Sequence, residues 1–521
     1  MHTTNAPNRI EFDAPASARF TRVETPTHLI GWLPWIWTHV LFGGSAAEPT
    51  RFDVRSFSWL FVLSGLLLYP CLAFHLFEPD EGRYAQIPRE MLLANEWIVP
   101  TLQGEPYLDK PPLFYWSVML AYSLFGCKIW VARLVPALVM QATVLASYAL
   151  GRQLVGERSA FWGSLLLTVS PFFLGVGRLL VLDGMLTLWI VLAGILAYMA
   201  QREAKLHWTL WLASALMCGL GVLTKGPVAI LLVVPPLVVH RWLAGESSRI
   251  GIVGWCVYLA TTLAVSLPWY VAVCLARPEF VRYFLLKHNV QRFVEPFDHV
   301  RPVWFFVPIV ALAILPVLLF AKPVARFFGS TNAAETNARC PAMGYLLLAS
   351  FWCVAFFSLA GSKLPTYILP AIPPLCLTLG CFIARIGWHR SRTLIDVFAA
   401  FWLVSAGMHW LVVPIYAADR APMRNTAEMR ARCSDPSVPV YCFPRNIDSV
   451  AFGVERSDLR TFRSKDVAKL IVELEKYPRS VVLFGHRSSP ELLLHHLPST
   501  LRMIERSPMG LCEVATVVRV E

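Results

Sequence analysis

The sequence predicts a polytopic α-helical membrane protein of about 11–13 transmembrane helices with a small C-terminal α/β domain. Three observations carry that expectation. Of 521 residues, 56% are hydrophobic and 15% charged, and the mean hydropathy is +0.54, whereas soluble domains carry about 25% charged residues. Apolar runs near 57–77, 130–150, 159–177, 181–200, 207–223, 227–242, 251–275, 302–321, 343–360, 365–385 and 393–414 approach the roughly 20 residues that a helix needs to cross a bilayer. From about residue 419 the charges become regularly spaced, and short β-type runs, "SVVLFG" and "EVATVVRV", flank a helical "SKDVAKLIVELEKY".

Taken in order, residues 1–56 form a cytoplasmic or interfacial N-terminal segment. They lack a basic region leading into a short apolar core, so no cleavable signal peptide is expected. The Trp-rich stretch 29–44, broken by Pro34, reads as lying along the inner membrane surface. Residues 57–418 form the membrane domain and 419–521 a soluble domain. The stretch 112–126 is apolar but only fifteen residues long; counting it as a span would reverse every later loop, so it reads as an interfacial helix.

The net charge of +12 sits mainly in alternate short loops, "GRQLVGER", "QREAK", "HRWLAGESSR", "AKPVARFF" and "ARIGWHRSR". Basic loops stay cytoplasmic, so this charge reports orientation and not a nucleic-acid partner. A cytoplasmic N-terminus then places the loops 78–129, 276–301 and 361–367, together with the C-terminal domain, on the outer face. The twelve cysteines show no zinc spacing. Cys433, Cys442 and Cys512 fall in the external tail, where one disulfide with one thiol left over is expected and spacing does not choose the pair.

The outer loops gather charges of both signs, and such groups beside hydrocarbon are costly unless they work. Carboxylates with Lys and Arg suit a reaction that holds an anionic phosphate while a second group is positioned. "PDEGRYAQIPREML", followed by "NEWIVPTLQGEPYLDKPPLFYW", "GRLLVLDGMLTL", "TKGPVA", "KHNVQRF" and "GSKLPTYILPAIPPL", resembles the bacterial membrane glycosyltransferases that include aminoarabinose lipid A transferase and, more distantly, the protein O-mannosyltransferase superfamily. The likeness covers about residues 57 to 390.

That resemblance implies the C-type glycosyltransferase fold and transfer of a sugar, usually with inversion, from a polyprenyl (undecaprenyl) phosphate carrier to an acceptor at the periplasmic face of the bacterial inner membrane. It implies catalytic roles for Asp80 and Asp183, binding of the donor phosphate by Lys110 and Arg83, and a cavity lined by Tyr107, Tyr367, Lys363 and Arg292. The family's metal-binding Glu and His correspond to Asp109 and His288. A divalent metal, zinc, would suit that pair, but two ligands make no closed site; no other cofactor is expected. Lipid A or a related envelope acceptor is the leading expectation; a protein or polysaccharide acceptor, or a lipid-linked sugar flippase, are the alternatives. Transporters place charges at mid-span on broken helices, whereas these charges sit at span ends. Glu78, Arg89 and Glu90 read as ordinary solvating residues of the first loop.

Overall fold

The computed structural model describes residues 52–202, 205–243, 250–284, 291, 299–329, 341–485 and 489–520. The Trp-rich stretch 29–44 lies outside them. Helix α1 (Val54–Leu68) starts at Asp53, whose carboxylate accepts from the amides of Arg55 and Ser56, satisfying donors that the helix itself leaves open. Helix α2 (Asp80–Leu93) begins after Pro79 with Asp80 and Glu81 in its first turn, where the positive end of the helix dipole favours acids. An antiparallel pair follows, β1 (Thr101–Leu102) and β2 (Glu105–Pro106). Its turn needs positive φ at both central residues, and Gln103 and Gly104 adopt 56° and 76°.

Helix α3 (Leu113–Phe125) corresponds to the apolar stretch expected at the interface. Its thirteen residues rise about 20 Å, short of the hydrocarbon thickness of roughly 30 Å. It packs Phe114, Tyr115 and Tyr122 into one core with Tyr84 of α2. The long α4 (Ile129–Val155) is followed by α5 (Glu157–Thr168) and α6 (Pro171–Gly177), bent by 62° relative to each other. The break has a local cause: Ser170 caps α6 through the amide of Phe173 and Pro171 opens it, an arrangement that starts a new helix and cannot continue the old one. Next come α7 (Asp183–Ala200), α8 (Trp208–Lys225), α9 (Val228–Leu243) and α10 (Ile252–Ala276).

The apolar run 302–321 is not one helix. It divides into a 3-10 turn (Val303–Phe306), α11 (Val307–Ala313), α12 (Leu315–Leu318) and α13 (Ala321–Gly329), with Pro308, Pro316 and Pro323 each near the start of a piece. Helix α14 (Pro341–Leu359), a 3-10 segment (Pro365–Ala371) continuing into α15 (Ile372–Arg385), then α16 (Arg392–Gly407) and α17 (Val413–Arg420) complete the bundle. Among the described residues seven helices are long and apolar enough to cross a membrane, eight if the bent pair is one span. The expected runs at α1, α9 and 302–321 are helical but shorter. The chain is a multi-pass membrane protein.

Tertiary contacts give the bundle two chemically different ends. At one, Arg202 donates to the Gln153 carbonyl and Arg241 to the Gln201 side chain, while Phe320 meets Trp388 edge-on at 4.7 Å; basic loops that are distant in sequence thus meet. At the other, Glu81 accepts from Arg133 and from the amide of Leu180, and Lys225 pairs with Asp183 beneath Tyr367. Between the ends α5 and α15 approach closely, because a Cβ on Gly380 would lie 2.2 Å from the Ser159 carbonyl oxygen and 2.5 Å from the Gly163 nitrogen. Small residues let bilayer helices make such contacts.

Beyond α17 the chain forms α18 (Thr426–Cys433), β3 (Val440–Phe443), α19 (Asp448–Gly453), β4 (Arg460–Thr461), α20 (Val467–Glu475), β5 (Arg479–Phe484), α21 (Ser489–Leu494), β6 (Leu501–Met509) and β7 (Cys512–Arg519). The five strands form one mixed sheet in the order β4-β3-β5-β7-β6, with β3 parallel to both β4 and β5. Both expected β runs are strands, and the expected helix contains α20. No disulfide links the described cysteines, contrary to expectation. Cys433, Cys442 and Cys512 are buried thiols within one apolar core, where burial pushes each thiol upward; they pack as small hydrophobes.

The sheet domain docks on α2. A Cβ on Gly82 would sit 2.5 Å from the Ser449 nitrogen and 2.7 Å from Glu78 Oε1, so only glycine allows α19 to approach this closely. Arg89 and Glu90 are 7% and 5% exposed, and with Glu78 they are not the solvating residues expected from sequence. Arg89 donates to the carbonyls of Glu455 and Arg456. Gln86 donates to Glu90 and to the Arg456 carbonyl, both at 2.7 Å. Glu78 accepts from the Ser449 amide at 2.6 Å.

Candidate functional site

The first turn of α2 separates its two acids. Glu81, 2% exposed, accepts from Arg133 Nε at 2.9 Å and Nη2 at 2.7 Å, and from the amides of Phe77 and Leu180 at 2.9 and 2.8 Å. Arg133 spends its remaining donors on the carbonyls of Leu72, Phe74 and His75. A buried pair with this many bonds fixes geometry: it ties the first loop, α4 and the segment before α7 together. Asp80, one residue earlier, points elsewhere. Its side chain is 54% exposed and lies 3.7 Å from the Arg83 guanidinium.

Arg83 carries the line onward. Its Nη1 is 3.4 Å from the Tyr107 hydroxyl. Burial, followed by the charge of Asp109, pushes that phenol upward, so it remains a protonated donor facing the Asp109 carboxylate. Tyr283 donates to the same carboxylate at 2.7 Å. Lys110 donates to the Asp109 carbonyl at 3.1 Å. The short turn between β1 and β2 positions this arm, and the Tyr107 amide bonds the Pro100 carbonyl at 2.7 Å. Arg83, Tyr107, Asp109 and Tyr283 all line a cavity of about 1070 Å³ whose far wall belongs to the C-terminal domain.

Asp183 and Lys225 form a second charged pair. Asp183 opens α7 and Lys225 ends α8, each at the helix terminus whose dipole favours its charge. Asp183 is 8% exposed, its carboxylate bonds the Lys225 ammonium, and that ammonium lies 4.3 Å from the centroid of the Tyr367 ring. Neither Tyr367 nor Lys363 lines the large cavity. Lys363, expected there, is 4% exposed and donates to the carbonyls of Ala360 and Arg301 at 2.5 and 3.0 Å, which fastens the 361–367 loop to the segment before α11. The other expected lining residue, Arg292, and the His288 of the Asp109/His288 pair lie outside the described residues. Among the described residues there is no group of three or more metal-ligating side chains.

Sequence reasoning missed Arg133, Tyr283 and the cations on the far wall. Arg133 sits within an apolar run, and a charge inside a span is itself the signal that could have found it. Tyr283 stands four residues before Lys287 in a loop already singled out, but a lone tyrosine in an apolar stretch carries no mark.

The dolichyl-phosphate-mannose-protein mannosyltransferase family matches residues 54–284. The undecaprenyl phosphate-α-4-amino-4-deoxy-L-arabinose arabinosyl transferase 2 of one Pseudomonas fluorescens strain is 32% identical over 371 residues, 67% of this chain and 62% of that protein. Arabinosyl transferase 1 of a second strain of that species is 30% identical over 397 residues, covering 74% and 68%. The chain thus spans 62% of the length of the first of these relatives. The crystal structure of ArnT from Cupriavidus metallidurans bound to undecaprenyl phosphate superposes with a TM-score of 0.72 at 20% identity, covering 89% of this chain and 97% of the other. The shared fold is the C-type glycosyltransferase architecture that the sequence resemblance implied.

Proposed function

Since this chain belongs to the family of aminoarabinose-transferase-like membrane glycosyltransferases, we propose that it transfers a sugar from an undecaprenyl-type phosphate carrier to lipid A or a related envelope acceptor. The observation that carries the reading is the exposed Asp80 carboxylate beside Arg83, which itself lines a cavity of about 1070 Å³. The Pseudomonas fluorescens relatives, undecaprenyl phosphate-aminoarabinose arabinosyl transferases, supply the donor class. The active face is the periplasmic one and the N-terminus is cytoplasmic. The segregation of Arg202 and Arg241 to the opposite end supports that orientation under the rule that basic loops stay inside.

Transfer is a displacement at the anomeric carbon. A bond forms from the acceptor oxygen to that carbon, and the bond from the carbon to the carrier phosphate oxygen breaks, through a transition state with oxocarbenium character. Negative charge grows on the departing phosphate. Arg83 and Lys110 stabilise it, each well-placed donor being worth a few kcal/mol in a water-poor site. A phosphate leaves without a general acid. Where the nucleophile is a hydroxyl, Asp80 takes its proton; where it is a phosphate oxygen, already anionic at neutral pH, Asp80 orients the acceptor instead. Tyr107 and Tyr283 hold Asp109 and so set the position of the segment carrying Lys110. Asp183, the second carboxylate expected from sequence, holds Lys225 against Tyr367.

The match to protein mannosyltransferases favours a protein hydroxyl as the second reading. Purified protein incubated with radiolabelled undecaprenyl-phosphate aminoarabinose and, separately, lipid A, an envelope polysaccharide or a Ser/Thr-rich protein decides between them. Label in lipid A is the expected outcome. Label only in the protein would replace the first reading with the second, and carrier-bound label that merely changes membrane side would replace both with a flippase.

A further inference from the structure

The far wall of the large cavity carries Arg445, Arg463 and Lys465. All three are exposed, and none has an ion-pair partner among the described residues, whereas several other charges of the sheet domain are paired, as Arg456 is with Asp458 and Lys476 with Glu473. The topology brings them together. Strands β3 and β4 are parallel neighbours; β3 ends at Phe443, just before Arg445, and β4 at Thr461, just before Arg463 and Lys465. Both therefore release their loops on the same side, outside the carboxyl ends of parallel strands, where sheets of this kind bind ligands. The same lining carries the acids Asp109 and Glu279, but with Arg83 its formal charge is still net positive, and an anion lowers the repulsion among the cations. The guanidinium fork suits the oxygens of a phosphate in particular.

The cavity slightly exceeds the roughly 300–1,000 Å³ typical of small-ligand sites, so it has room for a donor sugar and part of a second molecule. The opposite wall already supplies Arg83 near Asp80. Two reacting molecules that each carry an anion need two separate cationic sites. We propose that Arg445, Arg463 and Lys465 form a second anion site, contributed by the C-terminal domain, that engages a phosphate of a glycolipid acceptor and presents it to the membrane-embedded half of the cavity. This assignment rests on the transferase reading for its name but not for its test.

The test measures binding by the full-length protein in nanodiscs. The probes are bis-phosphorylated lipid A, its enzymatically dephosphorylated form, and undecaprenyl phosphate. Replacing all three cations (R445A/R463A/K465A) is expected to weaken lipid A binding about tenfold or more and to leave undecaprenyl phosphate binding unchanged, which also certifies the fold. Dephosphorylated lipid A should bind wild type and variant equally. An R445K/R463K variant should restore most of the loss. Unchanged lipid A affinity in the triple variant, or equal loss for the dephosphorylated form, overturns the proposal. Loss of undecaprenyl phosphate binding alone overturns it too, since the wall would then serve the donor. A wild-type protein that binds both probes but transfers nothing contradicts the proposed activity and leaves this site standing.

Discussion

Asp80 and Glu81 are neighbours in sequence with opposite surroundings, and the difference is made by other parts of the chain. Consecutive helical positions are rotated by about 100°, so one is exposed beside Arg83 while the other turns into the bundle toward Arg133, whose guanidinium reaches it at 2.7 Å. The resemblance singled out Asp80, but that its neighbour Glu81 is tied into the bundle was not readable, because that depends on a partner 52 residues later. Removing one member of a buried, bonded ion pair leaves the other charge uncompensated and costs about 3–5 kcal/mol. Glu81→Gln is therefore expected to lower the unfolding temperature of the purified protein strongly. A fluorescence melting curve checks this; a variant that melts like wild type while losing activity would move Glu81 from scaffold to chemistry.

At the scale of elements, the contact between α2 and α19 joins the membrane bundle to the sheet domain, and its chemistry is acidic. Burial first, then the charge of Asp448, pushes the Glu78 carboxyl up to about 7; burial raises Asp448 as well. Glu78 Oε2 and Asp448 Oδ2 are sealed from solvent without a partner. Arg83 works in the opposite direction on both acids, and Gln103 bonds Asp448. The sign follows from proton binding. A carboxyl with a raised value in the docked state holds its proton more tightly there, so docking is firmest below the ordinary carboxylate range. It weakens as pH climbs from about 4.5 to 7, by up to about 3 kcal/mol for Glu78. Hydrogen exchange of the 448–457 backbone should accordingly quicken, beyond its intrinsic pH dependence, between pH 5 and 8. Glu78→Gln should flatten that response; an unchanged response would exclude Glu78 as its source. None of this was legible in "EPDEGRYAQIPRE", where Glu78, Arg89 and Glu90 read as solvated, because the partners of Glu78 and Arg89 lie some 370 residues away, and Glu90 is held by Gln86 and by the Gln103 and Gly104 amides of the β1–β2 turn.

For the whole molecule, the apolar runs, the short helix within 112–126 and the sheet domain after residue 419 were readable because hydropathy and periodicity are local properties. The alternation of basic loops likewise foretold that the charged motifs share one end. What lay beyond sequence was assembly: that Lys363 serves a loop rather than the cavity, that Lys225 answers Asp183, and that β3 and β4 turn their cations toward Arg83. These are consequences of topology, which a single chain's composition does not express. The proposed transfer draws on both halves of this assembly and gives the central role to Asp80. The most direct test is single-turnover transfer from radiolabelled undecaprenyl-phosphate aminoarabinose to lipid A by purified wild type and Asp80→Asn, with donor binding measured in parallel. Labelled lipid A from wild type, and a loss of about 100-fold or more in a variant that still binds the donor, is the expected result. Near wild-type turnover by Asp80→Asn would contradict the central role given to this residue.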